Sequence, residues 1–395
     1  MKRILFVASI NPFKTGGGSQ ATLAYLDSVL EIFGINNVDV MIASEYIIPP
    51  DYQDINYVKI KIRRRLEKIH QYLLGFLSRF TMPLINYISN HSNNYSLCII
   101  NGGVVAGKSV EIIKRYGIKT VIIHHNHEVE YHFDNKSIES LKGRFMYFIK
   151  KAEAAAFLNS DINLFLTNDD INTFCSLYGK PKGRNFLLGC YEMKKAKAVI
   201  LNSEKKYSLI ISGTLANHQT TVGVKDFYEK YFNVAKKLIP NLTILLTGRS
   251  PSKEILTIQS NNPTMINIIP SPEDIFTVVQ LGRIYLCPTN IGGGLKLRVM
   301  DGLKCNLPVL VHSVSARGYD FYYDKPYFKI YNDESSFENG LKSILEYQNN
   351  NKSHFVIQNE YYYYFGFNQG TKRMREALSL IDPSIRNMEI KHELV

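Results

Sequence analysis

Residues 287–312, CPTNIGGGLKLRVMDGLKCNLPVLVH, read as the end of an apolar strand, three consecutive glycines, a helix start and a second apolar strand. The spacing predicts a helix over Leu295–Cys305 between strands Ile284–Cys287 and Val309–His312. Such strand–turn–helix–strand units build parallel α/β sheets. Gly292, Gly293 and Gly294 lack the β-carbons that would hold a ligand away from the main chain, and the amides opening the helix carry the positive end of its dipole. A phosphate or diphosphate fits such a loop. Lys296 and Arg298 fall in the expected first turn, where the dipole disfavours cations, so a negative ligand is expected to reverse that preference.

Outward from this stretch the same alternation of apolar strands and amphipathic helices occurs twice. The first half offers strands Ile4–Ser9, Val38–Ala43, Leu97–Asn101, Thr120–His124 and Ile162–Thr167, with helices Ser19–Phe33 and Ser109–Tyr116. The second half restarts with strand Tyr207–Ser212, helix Val224–Leu238 and strands Leu242–Thr247 and Met265–Ile269. Residues 191–206, which include the lysine-rich run EMKKAKAVILNSEKK, read as a linker. This gives a first domain over 1–190, a second over 207–365, and a C-terminal helix and tail over 366–395, with Asn368–Leu380 helical in pattern. Open α/β sheets bind ligands beyond the carboxyl ends of their strands, and every glycine-rich turn here falls at such an end. The two halves are therefore expected to face one cleft.

Composition narrows the partners. A chain of 395 residues, 45% of them hydrophobic, can bury two cores, and a net charge of +12 favours acidic partners such as nucleotides or an anionic membrane surface. Nucleic acid is not expected, because the basic residues are not interleaved with aromatics on any known module. The five cysteines, at 98, 175, 190, 287 and 305, form no C-x-x-C pair, which fits a reducing cytosol rather than a disulfide or zinc framework. The opening MKRILFVASINPF reads as a buried first strand rather than a signal peptide, and no segment reaches the roughly 18 uninterrupted apolar residues of a spanning helix. Lys61–Ile88 places Leu66, Ile69, Leu73, Phe76, Leu77 and Phe80 on one helical face beside Arg63, Arg64, Arg65 and Lys68. An ordinary helix with a solvated basic edge and an interfacial helix on a membrane both fit it.

Three further turns carry polar chemistry. Gly16, Gly17 and Gly18 follow the first strand and open a helix with Ser19 as the expected cap; neither a phosphate-binding Walker loop nor a G-x-G-x-x-G spacing is present. Gly17 and Gly18 are candidates to face a ligand. The run His124-His125-Asn126-His127-Glu128 ends a strand; its H-E-x-x-x-H continuation to His132 is one residue too long for a zincin helix, which leaves structural histidines or acceptor positioning and acid/base work by His125 and Glu128. Gly248 and Arg249 end a strand, and Pro270–Asp274 starts a helix with Ser271 as cap; both turns could border a base or diphosphate, or be plain connections. Asp169-Asp170 is not the D-x-D pattern that holds a divalent metal, so no metal requirement follows.

With two α/β halves, a glycine-rich first turn and the run Gly292 to Leu303, GGGLKLRVMDGL, the chain resembles the GT-B glycosyltransferases, in particular the family 4-like branch (glycosyltransferase group 1) with its G-G-G-I-K-x-K-x-x-E-A motif. Cys305–Val309 looks like that family's A-x-G-x-P-V-V, and His125–Glu128 like the H-N-x-E of related transferases. The resemblance implies two doubly wound Rossmann-like domains, a nucleotide diphospho-sugar as donor substrate on the second, an acceptor on the first, and no separate cofactor or metal. It implies that Asp301 takes the ribose hydroxyls, that Lys296 with the Gly293 and Gly294 amides and Leu295 hold the diphosphate, and that Arg298 assists, with Gly213 in the turn Ser212-Gly213-Thr214-Leu215 bordering the donor. The catalytic set on this reading is His125, Glu128 and Asp301.

Two departures stand out. Of the two glutamates that many members carry eight positions apart, the first falls on Gly293 and the second is the shorter Asp301, and Thr214 stands where arginine is frequent. The implied activity is transfer of a hexose to a glycan or lipid-linked saccharide in surface polysaccharide biosynthesis (capsule, O-antigen or similar), with retention, the family's usual course, in the cytoplasm or peripherally at the inner face of the cell membrane. A nucleotide-sugar epimerase and a non-catalytic GT-B-like module that binds a membrane or partner are the alternatives.

Overall fold

The computed structural model describes residues 2–61, 80–130, 142–201, 204–350 and 355–387. Contacts divide the chain into two units, Met1–Ala196 with Phe365–Val395, and Lys197–Tyr364. Each unit is a parallel sheet dressed with helices.

In the first unit β1 (Arg3–Ala8), β2 (Val38–Ala43), β3 (Asn56–Ile60), β4 (Tyr95–Asn101), β5 (Lys119–His124), β6 (Ile162–Phe165) and β7 (Arg184–Leu187) lie in the order β3-β2-β1-β4-β5-β6-β7. β1 pairs with β2 on one side and β4 on the other, so the winding reverses between β1 and β4. The central strands are covered on both faces and read as unbroken apolar runs for that reason. Leu5, Val7, Met41, Ile100 and Ile122 share one core, and each such buried side chain contributes about 1.5–3 kcal/mol. Helix Phe367–Leu378 belongs to this unit. It lies on helix Gly17–Phe33, where the Ser28 and Thr371 hydroxyls bond at 2.8 Å, and a β-carbon added to Gly370 would sit 2.0 Å from the Tyr191 ring.

In the second unit β8 (Tyr207–Ser212), β9 (Ile244–Gly248), β10 (Ile266–Pro270), β11 (Gly282–Cys287), β12 (Val309–His312) and β13 (Phe328–Tyr331) take the order β10-β9-β8-β11-β12-β13, with the reversal between β8 and β11. Its core joins Leu209, Ile211, Ile244, Leu246, Ile284 and Leu286 to the aromatic group Phe227, Tyr231 and Phe337.

The expected strands form, and β3, β7 and β13 are additional. Helix boundaries move more. Helix Gly17–Phe33 starts two residues before the expected Ser19; Gly16, at φ 144°, is its cap, and Ser19 is a buried residue inside it. The helix expected over Val224–Leu238 begins at His218, capped by the Asn217 side chain, and continues through a π-turn at Phe227–Tyr231 to Leu238. The helix expected over Leu295–Cys305 is Arg298–Lys304, because Gly294 stands at φ 71° and the loop before it is tied to itself. Ser271 is not a helix cap: it sits at φ 48° and its amide donates to Gly248 O, while Asp274 caps helix Ile275–Val279.

Most of the expected amphipathic run in Lys61–Ile88 lies outside the described residues, as does His132. Its last part is helix Thr81–His91, with Leu84 and Ile88 buried. Among the described residues no helix is long and apolar enough to cross a membrane, and all five cysteines are free.

Candidate functional site

The reversal between β8 and β11 opens a crevice at the carboxyl end of the second sheet, where doubly wound sheets take ligands. The turn after β8 holds Gly213 at φ 140° and the turn after β9 holds Gly248 at φ 134°. These turns touch: a β-carbon added to Gly248 would lie 1.7 Å from Gly213 O, so only glycine lets them meet. Gly213 N donates to Thr247 O at 3.0 Å and Leu215 N to Arg249 O at 2.8 Å. The Arg249 side chain is exposed.

Arg298, the first residue of its helix, lays its guanidinium against Gly213, with Cζ 3.0 Å from the position of an added β-carbon. Its Nη1 donates to Thr220 Oγ1 at 2.8 Å and Thr289 Oγ1 at 3.2 Å, and both threonines are buried. Asp301, one turn later, accepts from Ser212 Oγ at 3.2 Å, and that hydroxyl shares a 2.7 Å bond with Tyr285 OH. Burial pushes the Asp301 carboxyl up to about 7; the Ser212 hydroxyl and the Arg298 and Lys304 cations offset part of this. Gly302 makes the arrangement possible, since an added β-carbon would meet the Tyr285 ring at 2.5 Å.

Lys296 departs from expectation. It precedes the helix rather than lying in its first turn, and its buried ammonium donates to Gly292 O at 2.7 Å and Gly293 O at 2.8 Å. The loop is also held by Tyr319 OH, which donates to Lys296 O at 2.9 Å. Gly292, at φ 92°, is pressed against Gln219, whose Nε2 would be 2.2 Å from an added β-carbon. The structure thus gathers Gly213, Gly248, Arg298 and Asp301 directly. Gly293, Gly294, Leu295 and Lys296 form the folded loop that leads from Thr289 into the Arg298 helix.

In the first unit the candidates meet through a chain of buried polar groups. Thr22 Oγ1 donates to Gly18 O at 2.7 Å, Asn101 Nδ2 donates to Thr22 Oγ1 at 2.7 Å, and Asn101 Oδ1 bonds His125 Nε2. Gly17 and Gly18 are exposed at the start of a helix that has no side-chain cap. Asn101 Oδ1 can only accept, so His125 carries its proton on Nε2 and keeps Nδ1 as a lone-pair acceptor. Burial pushes the His125 imidazole down to about 4, which keeps it neutral near pH 7. Glu128 is partly buried, and the loss of water pushes its carboxyl up to about 7.

His124 and His127 are structural. His124 stacks on Phe165 and its Nε2 bonds Asn163 Oδ1 at 2.9 Å; His127 packs on Phe174, and its Nε2 lies 3.2 Å from Tyr178 OH. No group of three His, Cys, Asp or Glu side chains suited to a metal occurs among the described residues. Sequence reading missed Ser212, Gln219, Thr220, Thr289, Thr22 and Asn101. Ser212 and Asn101 end strands beside the two reversals, and that position was the one available signal.

No protein-family model matches the chain, and no curated protein matches it by sequence. Solved structures match throughout its length. Sucrose-phosphate synthase from Thermosynechococcus elongatus is 11% identical with a TM-score of 0.64, covering 97% of this chain and 100% of that one. The lipopolysaccharide outer core galactosyltransferase WaaB, in its apo form, is 11% identical with a TM-score of 0.65, covering 96% and 100%. Anabaena HepE in complex with UDP is 11% identical with a TM-score of 0.62, again covering 96% and 100%. Identity at this level speaks for the fold, and the fold is GT-B: two Rossmann-like α/β domains with parallel sheets of seven and six strands.

Proposed function

We propose that the chain is a glycosyltransferase that moves a hexose from a nucleotide diphospho-sugar to a glycan or lipid-linked saccharide in surface polysaccharide assembly. The observation that carries this reading is the meeting of Gly213, Arg298 and Asp301 at the reversal of the second sheet: bare main chain, a held cation and a carboxylate acceptor. Ribose hydroxyls donate to Asp301, and the diphosphate lies against Arg298 with the Gly213, Gly248, Gly293 and Gly294 main chain and the Leu295 turn around it. Lys296 exchanges its two carbonyl acceptors for phosphate oxygens, and Arg249 adds charge at the rim. The same cations neutralise the departing nucleoside diphosphate, so a metal has no assigned part.

In the first unit the Gly17 and Gly18 amides, Glu128 and the His125 lone pair receive the acceptor. The bond from the sugar's anomeric carbon to the diphosphate breaks, the bond to the acceptor oxygen forms, and the acceptor hydroxyl loses its proton; retention is expected. HepE, a fold neighbour, has been solved with UDP and with UDP-glucose, and WaaB is named a galactosyltransferase, which supports a nucleotide sugar as donor. The charge of +12 suits work against an anionic membrane surface.

Thermal shifts against UDP, GDP, dTDP and CMP test the reading. One nucleotide should raise the melting temperature, since a ligand at about a hundredfold its Kd adds about 2.7 kcal/mol. Lys296→Ala and Arg298→Ala should remove most of that shift, because a hydrogen bond to a charged group contributes roughly 1.5–3 kcal/mol. No shift with any of the four would overturn the assignment.

A further inference from the structure

Glu153, on helix Lys142–Asn159, is fully buried below the turn that follows β5. Its Oε1 accepts from the main-chain amide of Glu128 at 3.0 Å. Its Oε2 accepts from Tyr178 OH at 2.7 Å and lies 3.4 Å from His127 Nε2. Gly103 makes room on the other side, where an added β-carbon would stand 3.9 Å from Glu153 Cγ and 2.7 Å from His124 Nδ1. A buried carboxyl costs stability unless every oxygen is bonded, and an apolar side chain of similar volume would pack here at no such cost. Oε1 is committed to the turn through the Glu128 amide, while Oε2 is bonded to Tyr178 OH beside the His127 ring.

We propose that Glu153 is a positioning residue: it holds the His125–Glu128 turn in place and thereby sets where the Glu128 carboxyl stands for catalysis. The inference rests on the transferase reading given above. Burial pushes the Glu153 carboxyl up to about 8, against the pull of the Glu128 amide and Tyr178, and the neighbouring Glu128 and Asp170 charges push the same way. Near pH 7 it is mostly the neutral acid, with Oε1 accepting from Glu128 N and Oε2 from Tyr178 OH. The titratable groups around it are Glu128 on the turn, His124 and His127 at the strand end, and Tyr178 and Asp170 from the next helix. Glu130 and Lys150 act further out through His127. Above pH 8 the carboxyl ionises beside the Glu128 carboxylate, and repulsion loosens the turn.

The test combines turnover with a probe of the turn. With UDP-glucose as donor, Glu153→Met should lower kcat by about thirtyfold with donor KM unmoved, since misplacement by about 1 Å can cost a hundredfold. Glu153→Gln keeps an oxygen for the Glu128 amide, so it should recover most of that loss and abolish the fall in rate above pH 8. If Glu153→Met does not fold, Glu153→Gln carries the test through its pH profile. In protein labelled with 15N-glutamate, the Glu128 amide, assigned by its loss in Glu128→Gln, should shift with a midpoint near pH 8 in the wild type and not in Glu153→Gln. An unaltered kcat and pH profile in the variants, or a Glu128 amide that titrates identically with and without Glu153, overturns the proposal. If the wild type turns over neither UDP-glucose nor a sugar of whichever nucleotide raises its melting temperature, the transferase reading fails by itself, and the amide titration alone decides whether Glu153 holds the turn.

Discussion

Burial raises the Asp301 carboxyl to about 7, and on the proposed reading this carboxyl accepts from the ribose hydroxyls. Its protonated form accepts poorly, so affinity for UDP-glucose should rise as pH increases from 6 to 8, by up to about tenfold. Isothermal titration across that range should show the rise in the wild type and a flat line in Asp301→Asn. Gly248 yields a second prediction, on stability. Alanine there meets both a positive φ and the Gly213 carbonyl, so Gly248→Ala should destabilise the protein by about 3 kcal/mol or more, read as a lower thermal midpoint. The spacing of Lys296, Arg298 and Asp301 was legible because a motif lies in one short stretch. Glu153, Thr220 and Thr289 were not, since an ordinary glutamate or threonine acquires its meaning only from partners distant in the chain.

Among the elements, the central strands were legible and three edges were not. β3, β7 and β13 each close one side of a sheet; β3 and β7 expose residues and β13 leaves Lys329 and Ile330 half-buried, so their sequences (NYVKI, RNFL and FKIY) mix polar and apolar residues instead of running apolar. The late start of the Arg298 helix was hidden too. Lys296 and Tyr319 fix the loop by bonds to carbonyls, and helix propensity says nothing about those. Helix Phe367–Leu378 offers an element-scale test. Gly370→Ala forces a methyl into the Tyr191 ring and should lift the helix from its seat, lowering the thermal midpoint by several degrees for each 1–2 kcal/mol lost. Urea unfolding that leaves Gly370→Ala as stable as the wild type would contradict the packing.

For the molecule as a whole, buried carboxyls decide how stability depends on pH. Asp27, Glu128 and Glu153 in the first unit are pushed up to about 6, 7 and 8, chiefly by burial. In the unfolded chain they ionise near pH 4, so between the two values the folded state holds more protons and loses stability as pH rises. His124 and His125, held down near 4, act oppositely, an effect that fades through pH 6.5 and is nearly gone by about pH 7.5. Between about pH 7.5 and 8 the carboxyls dominate, and the thermal midpoint should fall across that interval; a flat or rising midpoint would refute the burial of these groups. The twofold α/β layout was legible because its alternation repeats, whereas the return of the chain to the first unit depends on Gly370 and Thr371 meeting Tyr191 and Ser28, a pairing that no local pattern announces. That return orders the protein's birth on the ribosome. Lys197–Tyr364 is continuous and is free to fold as soon as it emerges, while the earlier-made residues wait for helix Phe367–Leu378. At about 5–20 residues per second the wait is on the order of ten seconds or more, during which the half-built first unit leaves the seat around Tyr191 uncovered for chaperones to find.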